Sequence, residues 1–124
     1  MQYWVVGAMF GGNEDNLATF IRRGYWYCWD PRRNQEIPQS VASRFPQIQI
    51  GDRIAAKRLL GAGSKEIEIR ALGIVTDVDC NEWRVYVNWV VPVLARRVPL
   101  HGCAGSLHGP YEESDGWVRE VFQL

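Results

Sequence analysis

The hydrophobic pattern of this chain changes period several times along its length. Tyr3 to Val6 is a short apolar run that reads as a buried strand, and glycine-rich residues 7–12 follow as a turn. Leu17, Phe20 and Ile21 then recur at i, i+3, i+4, which predicts a helix over residues 13–23. Asn13 suits its N-cap, while Glu14 and Asp15 suit the positive end of the helix dipole. Arg22 and Arg23 complement the negative end, and Gly24 is the expected stop. Residues 25–29 (Tyr-Trp-Tyr-Cys-Trp) have strand propensity and end at Asp30-Pro31. After a polar loop, Pro38 opens a short helix through Phe45, with Val41, Ala42 and Phe45 on one face.

Period-two alternation dominates the next stretch. Strands are expected over residues 53–60, 66–78 and 83–91, joined by short turns at 61–65 and 79–82. Glu66-Ile67-Glu68-Ile69-Arg70 and Trp83-Arg84-Val85-Tyr86-Val87-Asn88-Trp89 alternate cleanly, as strands with one wet face do. Pro92 and Pro99 break the later segment, and residues 116–124 hold one more short strand or helical turn. The expected architecture is one α+β domain: a curved, mostly antiparallel β-barrel of five to six strands with two to three short helices.

Composition narrows the class. A chain of 124 residues with 47% hydrophobic and 23% charged positions is one globular domain rather than a disordered segment. Its longest apolar stretches fall far short of the roughly 18–20 residues that span a bilayer. The start has no basic lead into an apolar stretch, so no signal peptide is expected. Three cysteines, far apart and odd in number, make no disulfide framework. The expected location is cytoplasmic, with no membrane partner.

Formal net charge is zero, which argues against a charge-driven nucleic-acid coat. The charge is nevertheless uneven. Residues 22–58 hold Arg22, Arg23, Arg32, Arg33, Arg44, Arg53, Lys57 and Arg58 against only Asp30, Glu36 and Asp52. All but two of the fourteen basic residues are arginine. That suits planar recognition of phosphates and bases, and codon usage in a GC-rich genome explains it equally well. Six tryptophans are many for this length, and each ring wants burial while its N–H wants a partner.

Three segments together carry a family resemblance: Tyr3-Trp4-Val5-Val6-Gly7-Ala8, Phe20-Ile21-Arg22-Arg23-Gly24-Tyr25-Trp26 and Ile50-Gly51-Asp52-Arg53-Ile54-Ala55-Ala56-Lys57-Arg58. With residues 69–78 and 85–89, they resemble the EVE domains of the PUA-like superfamily. The resemblance is nearest to the N-terminal EVE domains of McrBC-type restriction systems and more distant to YTH domains. It implies a non-enzymatic reader that flips a modified base out of DNA and holds it between aromatic side chains. A separate nuclease or ATPase is the further partner expected of such a reader. RNA as the bound strand, or an enzyme on modified nucleosides like the ASCH relatives, are the rival readings. A protein-interaction module that uses its aromatics against a partner chain is a further one.

The candidate pocket follows from chemistry. A flipped base needs flat π-surfaces on both sides. Strand alternation puts Trp26 and Cys28 on one face and Tyr25, Tyr27 and Trp29 on the other, so one tryptophan is core and one available. Trp29, beside Asp30, is the expected cage residue, with Trp26 as core or secondary wall. This is the region where YTH domains carry a cage tryptophan. Phe10 is a candidate wall and Asn13 or Asp15 a candidate partner for a base edge, although a tight turn capped by Asn13 accounts for the same residues. Leu107 and His108 are candidate walls from the tail. Arg32, Arg33 and Arg58 are the expected phosphate contacts, the first two because nothing local explains them. Trp4 and Trp89, in apolar strands, are assigned to the core.

Catalytic and metal chemistry find little support in spacing. His101, Cys103 and His108 follow no structural zinc pattern, and Ser106 beside His108 makes no triad. No metal and no cofactor are expected.

Overall fold

The computed structural model describes residues 1–11, 14–33 and 35–123. Its elements follow the periodicities with a few displacements. Strand β1 (Tyr3–Gly7) leads into a small hairpin, β2 (Met9–Phe10) with β3 (Glu14–Asp15), then helix α1 (Leu17–Arg23) and β4 (Tyr25–Trp26). Helix α2 (Gln39–Arg44) runs into a 3-10 turn, Phe45–Gln47. Strands β5 (Arg53–Leu59), β6 (Glu66–Asp79), β7 (Arg84–Val91), β8 (Arg96–Pro99) and β9 (Leu107–Tyr111) precede helix α3 (Gly116–Phe122).

The fold is α+β with three helices and a mixed, mostly antiparallel sheet of seven strands. Its order is β4-β7-β6-β5-β1-β9, with β8 also paired to β6. Among the described residues only β1 and β5 run parallel, with Tyr3 opposite Arg53 and Gly7 opposite Lys57. The fourteen-residue β6 is the spine. One edge of it pairs with β5 along most of its length, and the other takes β8 at Glu66–Ile69 and β7 from Leu72 onward. No barrel closure is detected among the described residues, since β4 and β9 stand at the ends of the strand order. The expected five to six strands become seven because β8 and β9 form beyond Pro92.

Central strands β1 and β5 are buried on both faces, so their sequences read as apolar runs. Trp4, Val6, Ile54 and Ala56 face one core together with Phe20, Trp26, Phe45 and Trp89. Tyr3, Val5 and Ala55 face a second core, closed by Cys103 and, from α3, Trp117, Val118 and Val121. Each buried indole finds a partner, as its N–H requires. Trp4 Nε1 donates to Asp52, Trp26 Nε1 to the Gly7 carbonyl, Trp89 Nε1 to the Phe20 carbonyl and Trp117 Nε1 to the Pro99 carbonyl.

Helix α1 starts at Leu17, where its hydrophobic period begins, and four residues later than the Asn13 cap and the acidic residues suggest. Glu14 and Asp15 pair with Phe10 and Met9 instead of forming a first helical turn. The Leu17 amide donates to the Asp15 carboxylate at 3.0 Å, and Asn16 takes the N-cap position without a side-chain bond. Asn13 lies outside the described residues. The stop is as expected: Gly24 adopts φ 73°, and its amide donates to the Phe20 carbonyl at 2.8 Å. A second glycine is fixed by packing. A Cβ on Gly73 would stand 2.3 Å from Val87 Cγ1, so the β6–β7 contact admits no side chain there.

Candidate functional site

The aromatic segment leaves the sheet after only two strand residues, and that frees its second half. Trp26 is fully buried and tied to Gly7, whereas Trp29 is half-buried at the surface. Trp29 meets Trp83 edge-on, with ring centroids 5.6 Å apart at 80°, and Trp83 in turn packs on Phe45 at 5.0 Å. The Trp29 indole donates to the Gln35 carbonyl at 3.3 Å. These contacts fix the ring beside a cleft of about 170 Å³.

Phe10, Tyr27, Cys28, Trp29, Asp30 and Arg33 all line that cleft. Phe10 and Tyr27 lie 5.4 Å apart and rest on Phe20 beneath. Arg84 supports Tyr27 from behind, its guanidinium 4.8 Å from that ring and 4.5 Å from Tyr25. Pockets for drug-sized ligands occupy roughly 300–1,000 Å³, so this cleft suits a single small ring system. Three aromatic rings, a carboxylate and an arginine thus meet around one small space.

The electrostatics of the rim are set locally. Asp30 accepts from the Arg32 amide at 2.9 Å. That bond holds its carboxyl below the usual carboxylate range against a smaller opposing effect of burial, with the Arg32 and Arg84 charges adding to it. Asp30 is therefore an ionised acceptor at neutral pH. Cys28 is the opposite case: burial pushes its thiol up to about 12, which leaves it a protonated, unreactive wall.

The remaining candidates separate from this cleft. Arg32 is 65% exposed but engaged, 3.2 Å from Asp30 and 2.6 Å from Glu82. Arg33 lines the cleft, its guanidinium 5.9 Å from the Phe10 ring. Asp15 faces a different groove beside Leu17, Arg70 and Pro92, and does not reach Trp29. Leu107 belongs to the main core rather than to a pocket wall. Trp26 likewise serves the core and not the wall. Tyr27 is the residue that alternation placed beside Trp29 without assigning it a role.

A second cleft, of about 450 Å³, adjoins the first and shares Met9 and Ser106 with it. Arg58 and Lys57 line it, so the third expected phosphate contact stands here. His108 is nearby: its Nε2 accepts from the Gly105 amide at 2.9 Å, so the ring proton sits on Nδ1. Burial, then the charges of Lys57 and Arg44, push its pKa down, and the imidazole is neutral near pH 7.

His101 stacks on Trp117 at 4.6 Å, and the Cys103 thiol lies 3.4 Å from the Tyr111 hydroxyl. Among the described residues no three His, Cys, Asp or Glu side chains gather as a metal site. No described helix is long and apolar enough to cross a membrane. No protein-family model matches the chain, and no curated protein matches it significantly.

Proposed function

We propose that this chain is a nucleic-acid reader of the EVE type, holding a flipped, modified base of DNA in the Trp29 cleft. The observation that carries the reading is the convergence of Phe10, Tyr27 and Trp29 with Asp30 and Arg33 around a space the size of one ring system. Trp29 and Tyr27 supply ring surface for stacking, within a wall whose exposed atoms are mostly polar. Asp30, ionised, accepts from an exocyclic amine, and Arg33 sits where a flanking phosphate would lie. The PUA-like assignment of the fold belongs to the same reading. It is supported by the mostly antiparallel sheet, the parallel β1–β5 pair and the helix that precedes the aromatic segment, although the sheet is open between β4 and β9. A separate nuclease or ATPase would act on what the domain finds. The resemblance of residues 1–90 to restriction-associated domains favours DNA over RNA.

The test is a titration panel of oligonucleotides bearing 5-methylcytosine, 5-hydroxymethylcytosine, N4-methylcytosine or N6-methyladenine, in DNA and RNA, beside unmodified controls. The reading expects one modified base in DNA to bind more tightly than its control. Equal binding across the panel overturns it, and preference for an RNA arm moves the domain to the RNA-binding alternative.

A further inference from the structure

Lys57 is a buried cation without a visible counter-charge. It is 6% exposed, at the end of the parallel β1–β5 pair opposite Gly7. Its ammonium lies 3.4 Å from the position a Cβ on Gly7 would take, close against the β1 backbone. Among the described residues it makes no ion pair and no side-chain hydrogen bond. It lines the 450 Å³ cleft together with Arg58 at the rim, and no carboxylate lines that cleft. The titratable groups that feel its charge are Cys103, a buried thiol, and His108, a neutral imidazole, and both also feel Arg44. Buried charges are paired or bound, because leaving water costs them several kcal/mol. Here the ammonium opens onto the cleft, where an anion from outside the chain can pair with it.

We infer that the cleft over Lys57 is a phosphate-binding site, with Lys57 as the inner cation and Arg58 as the outer one. The compact ammonium acts as a point charge, and the arginine fork reaches over the rim. The inference deepens the reader proposal, on which one of its two sources rests. Met9 and Ser106 wall both clefts, so a strand with its base at Trp29 can lay a neighbouring phosphate over Lys57. The other source of the same chemistry is a free phosphate compound. Burial already pushes the Lys57 pKa down, so a bound phosphate would draw it back up.

Pyrophosphate serves as the probe, with sodium chloride at matched ionic strength as control. Wild-type protein should melt at higher temperature in pyrophosphate, and Lys57→Met should fold but gain nothing. No rise for wild type, or an equal rise for the variant, overturns the site. Nitrogen-15 and carbon-13 NMR of the Lys57 side chain in wild type needs no variant: pyrophosphate should shift its signals and raise its titration midpoint, and an unmoved midpoint counts against the site. The strand is tested by a methylphosphonate walk along the best-bound oligonucleotide. One position should weaken wild type by roughly tenfold or more, the loss of one charged contact, and leave Lys57→Met unaffected. Pyrophosphate binding without that position assigns the site to a free phosphate compound. Pyrophosphate binding with no oligonucleotide binding keeps the site and removes the reader. Oligonucleotide binding without either Lys57 effect keeps the reader and removes the site.

Discussion

The indole Nε1 of Trp4 donates to the buried carboxylate of Asp52 at 2.9 Å, joining positions 48 residues apart. The same carboxylate accepts from the amides of Gln2 and Gln49 and from the Gln2 side chain. The Gly51-Asp52 turn thus ties the start of β1 to the approach to β5, which sets the register of the parallel pair at the centre of the sheet.

Asp52→Ala should therefore lower stability by about 3 kcal/mol or more, because each buried donor left unpaired costs about 1–3 kcal/mol. Asp52→Asn retains one oxygen and should recover part of that loss. Urea unfolding midpoints of the two variants measure it, and a near-wild-type midpoint for the alanine variant would contradict the clamp.

Trp89→Ala removes a buried ring bonded to the Phe20 carbonyl and should cost roughly 3–5 kcal/mol, unfolding a marginal domain. A thermal melt reads this directly.

Arg33 and Arg32 should behave differently although they are neighbours. Arg33→Ala should flatten the dependence of log K on log salt for oligonucleotide binding by up to about 0.7–0.9. Arg32 is already held by Asp30 and Glu82, so Arg32→Ala should change the slope less. Equal slopes for wild type and Arg33→Ala would remove Arg33 from the interface.

His108 gives a pH signature. Its pKa is lowered in the folded state from an ordinary 6.5, so below 6.5 the unfolded chain takes up the proton first. Stability should fall as pH drops from 6.5 through the folded-state value, and the His108→Gln variant should lack that part of the loss. Urea midpoints of both proteins between pH 7 and 5 decide it, and parallel curves would contradict the shift.

Much of this was readable from pattern. The period-two runs placed β5, β6 and β7 within a residue or two, and the Gly24 stop held because only a left-handed residue ends α1 there. Trp26 and Trp29 do part, one to the core and one beside a cleft, but not by strand alternation: β4 ends at Trp26, and Cys28 lines the cleft with Trp29. What failed was non-local. Glu14 and Asp15 look like a helix start but are drawn into pairing with Met9 and Phe10. Arg32 looks unexplained until Glu82, fifty positions away, comes beside it. Leu107 and the strands β8 and β9 sit among prolines that hide their pairing. Lys57, inside an ordinary-looking strand, shows its isolation only once the cleft above it is known. No local signal could have found it.

The cage is tested most directly by titrating wild type and Trp29→Ala with one DNA duplex in its modified and unmodified forms, the modification being the one the panel selects. Stacking on an aromatic ring is worth roughly 1–3 kcal/mol per base. Trp29→Ala should thus bind the modified duplex about ten- to more than a hundred-fold more weakly and lose most of the preference for it. Its melt should stay close to wild type, because Trp29 is only half-buried. Wild-type affinity and an intact preference in the Trp29→Ala protein would contradict the account.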